Sequence, residues 1–312
     1  MKLNISKKIV INKSIIQVYQ VIADIKQWNL WSPWMHSEPT AVTKASGVSG
    51  EIGQTQSWIG EVIGSGQMTI TNLKANQLVE MKIEFLSPWK SVAQALFQIK
   101  ELDAEQTEVT WIMNSQLPLF MIFFKNMMMA YMGHDFERGL KMLKEYVETG
   151  AVISTSIYQG EKLFSEFYVL GYKTSCRISE ISTRIRADFE SLQQLLQTQD
   201  ISQPEMMVTL SHVHNIPKGL CEFTAGYCYL KPPQFKIPPG YFVTHISNHK
   251  GLLVDHYGPY RHIANPWSMA VSYQRGQKKK ILKKVPMYEL YKTVPDGRPE
   301  KDIHTQIVMP IR

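Results

Sequence analysis

The 312-residue chain has only three cysteines, Cys176, Cys221 and Cys228, with no CxxC spacing among them. So sparse and odd a set builds neither a disulfide framework nor a zinc cluster, and it suits a reducing compartment. A long apolar run is missing as well. The most apolar stretch, LPLFMIFFKNMMMAYM at 117–132, is interrupted by Lys125 and Asn126. It falls short of the roughly 20 residues that a membrane span requires and reads instead as a buried strand end and helix start. The N-terminal MKLNISKKIVINKS has no apolar core and no small-residue cleavage signal. No secretion peptide is therefore expected, and a cytoplasmic location is.

Catalytic signatures are scarce too. There is no GxSxG elbow, and no cysteine has a His at a recognisable spacing. GEIGQ and GSGQM do not open a helix after a strand, so they predict no phosphate cradle. His212 and His214 stand two apart and would share a strand face, but no HExxH helix or carboxylate set accompanies them. No metal and no cofactor is expected.

What the chain has is ordinary globular composition, 44% hydrophobic and 20% charged, at twice the usual length of one domain. The net charge of +7 is uneven. Residues 1–150 carry 14 basic and 14 acidic side chains, so the excess belongs to the second half. Much of it lies in RGQKKKILKK at 275–284. A patch such as Lys278–Lys284 could meet an acidic partner, but no recognition helix or aromatic-interleaved basic stripe accompanies it, and it reads as a solvated turn.

The first half opens with the strand-like KLNISKKIVI. In SIIQVYQVIADI, Ser14 and Gln17 have capping-box spacing, and Ile15, Val18, Val21, Ile22 and Ile25 share a helical face. The aromatic WNLWSPW reads as a loop that no helix can cross beyond Ser32. In LVEMKIEF, Val79, Met81, Ile83 and Phe85 alternate with Glu80, Lys82 and Glu84, giving one dry and one wet face. TEVTWIM repeats the pattern with Val109, Trp111 and Met113. A long helix over about 126–148 follows, with Met129, Met132, Phe136, Leu140, Leu143 and Val147 at helical spacing. Residues 150–165 lack periodicity and hold the expected boundary.

In the second half, EFYVLGYKTS predicts a strand and EISTRIRADFESLQQLLQ a helix. After turn-rich sequence come the strands CEFTAGYCYL and GYFVTHISN, a helix over about 259–273, and the strands KVPMYELYK and HTQIVMPIR. Strand, helix and strands thus occur twice, which hints at a duplicated module. The fold class is α+β.

Several of these pieces resemble known families. NKSIIQVYQVIADIKQWNLWSPW, GxxG followed by Trp58 and Gly60, GQMTI, the strands around Pro88 and Thr107–Trp111, and FERGLKMLKEYVE are similar to a START-like, SRPBCC-type domain of the polyketide cyclase/lipid transport class. The resemblance implies a helix-grip domain over 1–150, with an antiparallel sheet wrapped on a long C-terminal helix around a hydrophobic cavity. FYVLGYKT, IPPGYFVTHI, GPYRHI, VPMYELYKTVP and TQIVMPI resemble the GyrI-like effector-binding domain that ends AraC- and MerR-type regulators, here over 160–312. In that family a Glu on the penultimate strand lies at the base of an aromatic pocket and pairs with hydrophobic cations, and the matching position is Glu289. The family's Asp-Pro pair after this strand is replaced by VPDGRP, with Asp296 after Pro295. No helix-turn-helix segment accompanies either half, so direct DNA binding is not expected.

These readings set the candidate site. On the strand at 285–291, Val285, Met287, Glu289 and Tyr291 share a face. A carboxylate there needs a cation, a basic partner or a proton, unless the strand is an exposed edge. Tyr227, Tyr229, Tyr241, Trp267 and Tyr291 are the candidate aromatic walls for a hydrophobic cation. In the first half, Trp58, Met81, Phe85 and Trp111 line a cavity or belong to plain core. The expectation is a binding protein for hydrophobic or cationic small molecules. The alternatives are a hydrolase or cyclase using Glu289 as general base, and an interaction protein using Lys278–Lys284.

Overall fold

The alternating segments of the first half become one antiparallel sheet. The computed structural model describes residues 2–116, 123–198 and 204–312, and the chain divides into two units, Met1–Val152 and Ile153–Arg312. The first unit runs β1 (Lys2–Ile11), α1 (Ile15–Ala23), α2 (Trp28–Trp31), β2 (Val42–Ser46), β3 (Thr55–Ile59), β4 (Ser65–Lys74), β5 (Leu78–Ser87), β6 (Ser91–Asp103), β7 (Gln106–Gln116) and α3 (Lys125–Thr149). The strands pair in the order β1-β7-β6-β5-β4-β3-β2.

The dry face read from β5 and β7 is the buried one: Val79, Met81, Ile83, Val109, Trp111 and Met113 join Phe136, Leu140 and Leu143 of α3 in a single core. Each such side chain contributes about 1.5–3 kcal/mol by leaving water. α3 stops at Gly150, whose φ of +85° is the left-handed cap that glycine adopts without Cβ strain, and its N–H donates to Tyr146 O at 2.8 Å.

Three local expectations are corrected. The Ser14 hydroxyl donates to Gln17 Oε1 at 3.1 Å and caps no backbone amide, so the capping box does not form. Trp28–Trp31, read as loop, makes one helical turn that ends at Ser32, ahead of Pro33. The apolar stretch at 117–132 is not buried throughout: residues 117–122 lie outside the described ones, and Phe123, Phe124 and Met127 are exposed.

The second unit comprises β8 (Thr155–Phe164), β9 (Phe167–Arg177), α4 (Ile181–Thr198), β10 (Met206–Asn215), β11 (Leu220–Tyr229), β12 (Phe242–Ile246), β13 (His249–Tyr257), α5 (Ala264–Gly276), β14 (Met287–Tyr291) and β15 (His304–Ile311). Its antiparallel sheet has the order β12-β9-β11-β10-β14-β15-β13-β8. Three strands escaped the periodicity reading. In β10 and β13, successive residues such as Val208–Leu210 and Leu252–Asp255 are buried on both faces, which erases the alternation. In β8 the pairing with β13 slips at Leu253/Val254, and a bulge breaks any period. The helix expected from Pro259 begins as a separate turn, Tyr260–His262, and only then as α5.

α4 packs on β9 and β11, and α5 on β13, β8 and β15. The two central strands, β10 and β14, therefore lie between the helices.

Candidate functional site

Cross-strand register sets the floor of that gap. Tyr172, Ala225, Thr209, Glu289, Ile307, Val254 and Tyr158 form one row from β9 to β8. At its two ends the row touches the helices: the Tyr172 hydroxyl donates to Asp188 of α4, and Tyr158 stacks on Tyr273 of α5 at 3.8 Å. Glu289 stands in the middle, on a strand paired on both sides, so it is not an edge residue. The neighbouring row places Tyr227, Met207, Tyr291 and Thr305 on the same face.

The carboxylate of Glu289 is held by neutral donors. The Trp267 indole N–H donates to Oε1 at 2.6 Å and the Tyr291 hydroxyl to Oε2 at 2.7 Å. Tyr291 has a single proton, and with Glu289 ionised that proton is committed. The 2.9 Å contact from Thr209 to Tyr291 is then a bond that Thr209 donates, completing a relay. Among the described residues no Lys, Arg or His pairs with Glu289. Burial pushes its pKa up, and the bonds from Tyr291 and Trp267 only partly counter this. The residue as a whole is only partly buried.

The aromatic candidates divide into two groups. Trp267 and Tyr291 touch Glu289 directly. Tyr227 joins through Phe189 of α4, whose ring lies 6.2 Å from Tyr227 and 5.6 Å from Tyr291. Tyr229 packs on Phe235, and Tyr241 on Tyr172. These two stand further out, with no described contact to Glu289.

Phe189, Tyr260 and Thr209 were not singled out in the sequence. Tyr260 lies 5.5 Å from Tyr291, and burial together with the Glu289 charge pushes its hydroxyl up to about 12. GPYRHI marked the position of Tyr260 but not its role. The relay from Thr209 depends on register, which spacing alone does not give.

The first-unit candidates are not brought together into one site. Trp58 and Phe85 meet edge-to-face at 6.0 Å, and Trp58 lies so close over Gly66 that a Cβ there would come within 2.4 Å of the ring. Trp111 instead stacks on Phe136 at 3.9 Å and Phe97 at 5.1 Å, and Met81 is buried between Ile70 and Ala95. Both belong to the packed core. The core is not wholly apolar: Trp31 Nε1, Trp111 Nε1 and Gln56 Oε1 are buried with no hydrogen-bond partner among the described residues.

The basic stretch is partly neutralised, since Lys279 pairs with Glu161, which also holds Lys250. Leu282 packs against the core. His212 binds Thr224 at 2.8 Å, and among the described residues no group of three His, Cys, Asp or Glu side chains could hold a metal.

A search of curated proteins finds no match. Similar solved structures include the Aha1 dimer from Colwellia psychrerythraea, at 22% identity over 47% of this chain and 98% of that one, TM-score 0.36. An aromatase/cyclase from a Streptomyces species is 12% identical over 47% of this chain and 94% of that one, TM-score 0.37. A protein solved with bound tetraphenylphosphonium is 14% identical over 50% of this chain and 94% of that one, TM-score 0.40. Residues 2–148 match the family described as Polyketide cyclase / dehydrase and lipid transport.

Proposed function

We propose that the protein binds hydrophobic small molecules, and that its second unit takes a hydrophobic cation against Glu289. The observation that carries this reading is a mid-sheet carboxylate that has neutral donors on both oxygens and, among the described residues, no basic partner. Such a group is costly to keep charged, and a cation that arrives with its own apolar surface relieves the cost. Trp267, Tyr291, Tyr260 and Phe189 supply faces for cation–π contact.

The unit is read as a GyrI-like effector-binding domain. Supporting this is the succession strand-helix-strand-strand, which occurs as β9-α4-β10-β11 and again as β13-α5-β14-β15. The sheet order β9-β11-β10-β14-β15-β13 is what two such modules give when they pair through their middle strands. In the first unit, the match to the polyketide cyclase and lipid transport family supports a hydrophobic ligand.

Calorimetric titration with tetraphenylphosphonium, whose charge is fixed, tests the reading. The native protein is expected to bind it and Glu289→Gln to bind at least tenfold more weakly, a loss of about 1.4 kcal/mol. Equal affinity in the variant, with the native fold retained, sinks the proposal.

A further inference from the structure

The described residues of the first unit leave one end of the sheet unusually apolar. Leu86 near the end of β5 and Trp89 on the β5–β6 turn are exposed by 55% and 63%, and Val92 at the start of β6 is exposed by 55%. At the start of α3, Phe123, Phe124 and Met127 are exposed by 91%, 52% and 44%. Large apolar side chains occur singly on many surfaces, but clustering of this kind calls for a partner.

Register and helix direction place the two groups at the same end. Ala93 pairs with Ser115, so the β5–β6 turn lies beside the end of β7, and Lys2 pairs with Gln116, so the start of β1 is there too. α3 runs parallel to β1: Glu137 meets Lys7, Lys144 reaches Val10 O, and Glu148 accepts from Asn12 N. Going back from Glu137 to Lys125 covers about 18 Å of helix, and from Lys7 to Lys2 about 17 Å of strand. The start of α3 therefore sits level with the start of β1, next to the turn.

Charge selects the occupant. Lys90 lies on the turn and Lys125 at the helix start, while neither 85–100 nor 109–134 contains an Asp or Glu. The flanking carboxylates Glu84 and Asp135 are already paired, with Lys82 and Arg138. Beyond them, Glu61 lies on the β3–β4 turn, which meets Ser87 through Gly64. Aromatic and aliphatic tips flanked by lysines match the boundary between acyl chains and anionic headgroups. Among the described residues no helix is long and apolar enough to cross a bilayer, so the contact is one of surface docking.

The geometry points to this end of the first unit as a docking surface for an anionic lipid bilayer, with Trp89, Phe123 and Phe124 entering the interface and Lys90 and Lys125 meeting headgroups. Such a contact gives the unit access to molecules that partition into membranes.

Co-sedimentation of the full chain with vesicles tests it. Binding is expected to vesicles of phosphatidylcholine mixed with phosphatidylglycerol, and more weakly to phosphatidylcholine alone. Trp89→Asp combined with Phe123→Asp should reduce binding at least tenfold, and so should Lys90→Glu combined with Lys125→Glu. Circular dichroism of both variants checks that the fold is kept, and these exposed positions make that the expected result. Failure of the native chain to bind the mixed vesicles at low salt overturns the inference. So does a monomer–dimer equilibrium in sedimentation velocity that the Asp pair abolishes without any vesicle binding, because the occupant is then a second copy.

Discussion

Tyr291 and Glu289 leave β14 on the same face, and the hydroxyl of Tyr291 donates to Glu289 Oε2 at 2.7 Å. The bond fixes which way the carboxylate points, and it belongs to a chain that starts at Thr209 on the paired strand. What the chain lacks is any positive charge to balance its acidic end.

That imbalance makes stability depend on pH in a definite direction. The folded pKa of Glu289 is raised above the ordinary 4.5, so the folded state holds its proton more tightly than the unfolded one. The contribution is fully present below the unfolded pKa and is lost as pH rises through the folded value. His212, His214 and His249, held below the ordinary histidine value by burial, give the opposite slope, so the comparison is with Glu289→Gln: thermal unfolding should show the stability of the native protein falling relative to the variant as pH climbs above 4.5. An unchanged slope in the variant places the titration elsewhere.

Trp267 and Tyr241 make a contrasting pair. Trp267→Phe keeps a ring but removes the donor to Oε1, and a hydrogen bond to a charged group is worth about 1.5–3 kcal/mol. Tetraphenylphosphonium binding should weaken by roughly tenfold or more, which is about 1.4 kcal/mol or above. Tyr241→Phe should leave it within about twofold, since Tyr241 touches Tyr172 and not the carboxylate. Equal losses from both would mean that the two rings serve only as packing.

In the first unit the largest single loss is expected at Trp111. Its indole is stacked between Phe97 and Phe136 and is fully buried, so Trp111→Ala should cost about 3–5 kcal/mol. Trp58→Ala, at a partly exposed pair with Phe85, should cost less than half of that. Urea unfolding followed by near-ultraviolet dichroism measures both.

Cys176 and Cys221 are directly opposed on β9 and β11, with Sγ atoms 3.4 Å apart. Opposed residues of an antiparallel pair have Cα atoms about 4.5–5.5 Å apart, inside the window for a disulfide. Burial and the neighbouring thiol push Cys221 up to about 12, so the half-exposed Cys176 should attack the oxidant. With oxidised glutathione, two of the three thiols should disappear from an Ellman titration, two glutathione molecules being released. Loss of Cys228, or mixed disulfides that persist, would contradict this pairing.

The first-unit sheet was legible because β5 and β7 each show water one face, and alternation survives wherever only one side is buried. β10 and β13 gave no such signal, since both faces are covered at Val208–Leu210 and at Leu252–Asp255, and the order of residues there shows no alternation. For the same reason Glu289 and Tyr291 were readable, as neighbours on one strand, whereas Thr209, Phe189 and Tyr260 were not. They come to the site from elements 29 to 100 residues away in the chain, and only pairing and helix placement bring them there. A fully paired β14 also turned an exposed edge carboxylate, one of the readings open at the outset, into a mid-sheet one.

Thr209 faces Glu289 across the two central strands. One side of the floor is thus acidic and its opposite number neutral, although the helices flank both alike. On the proposed reading, a guest with a single positive charge is drawn to one side of this floor, and a symmetric dication gains nothing there from its second charge.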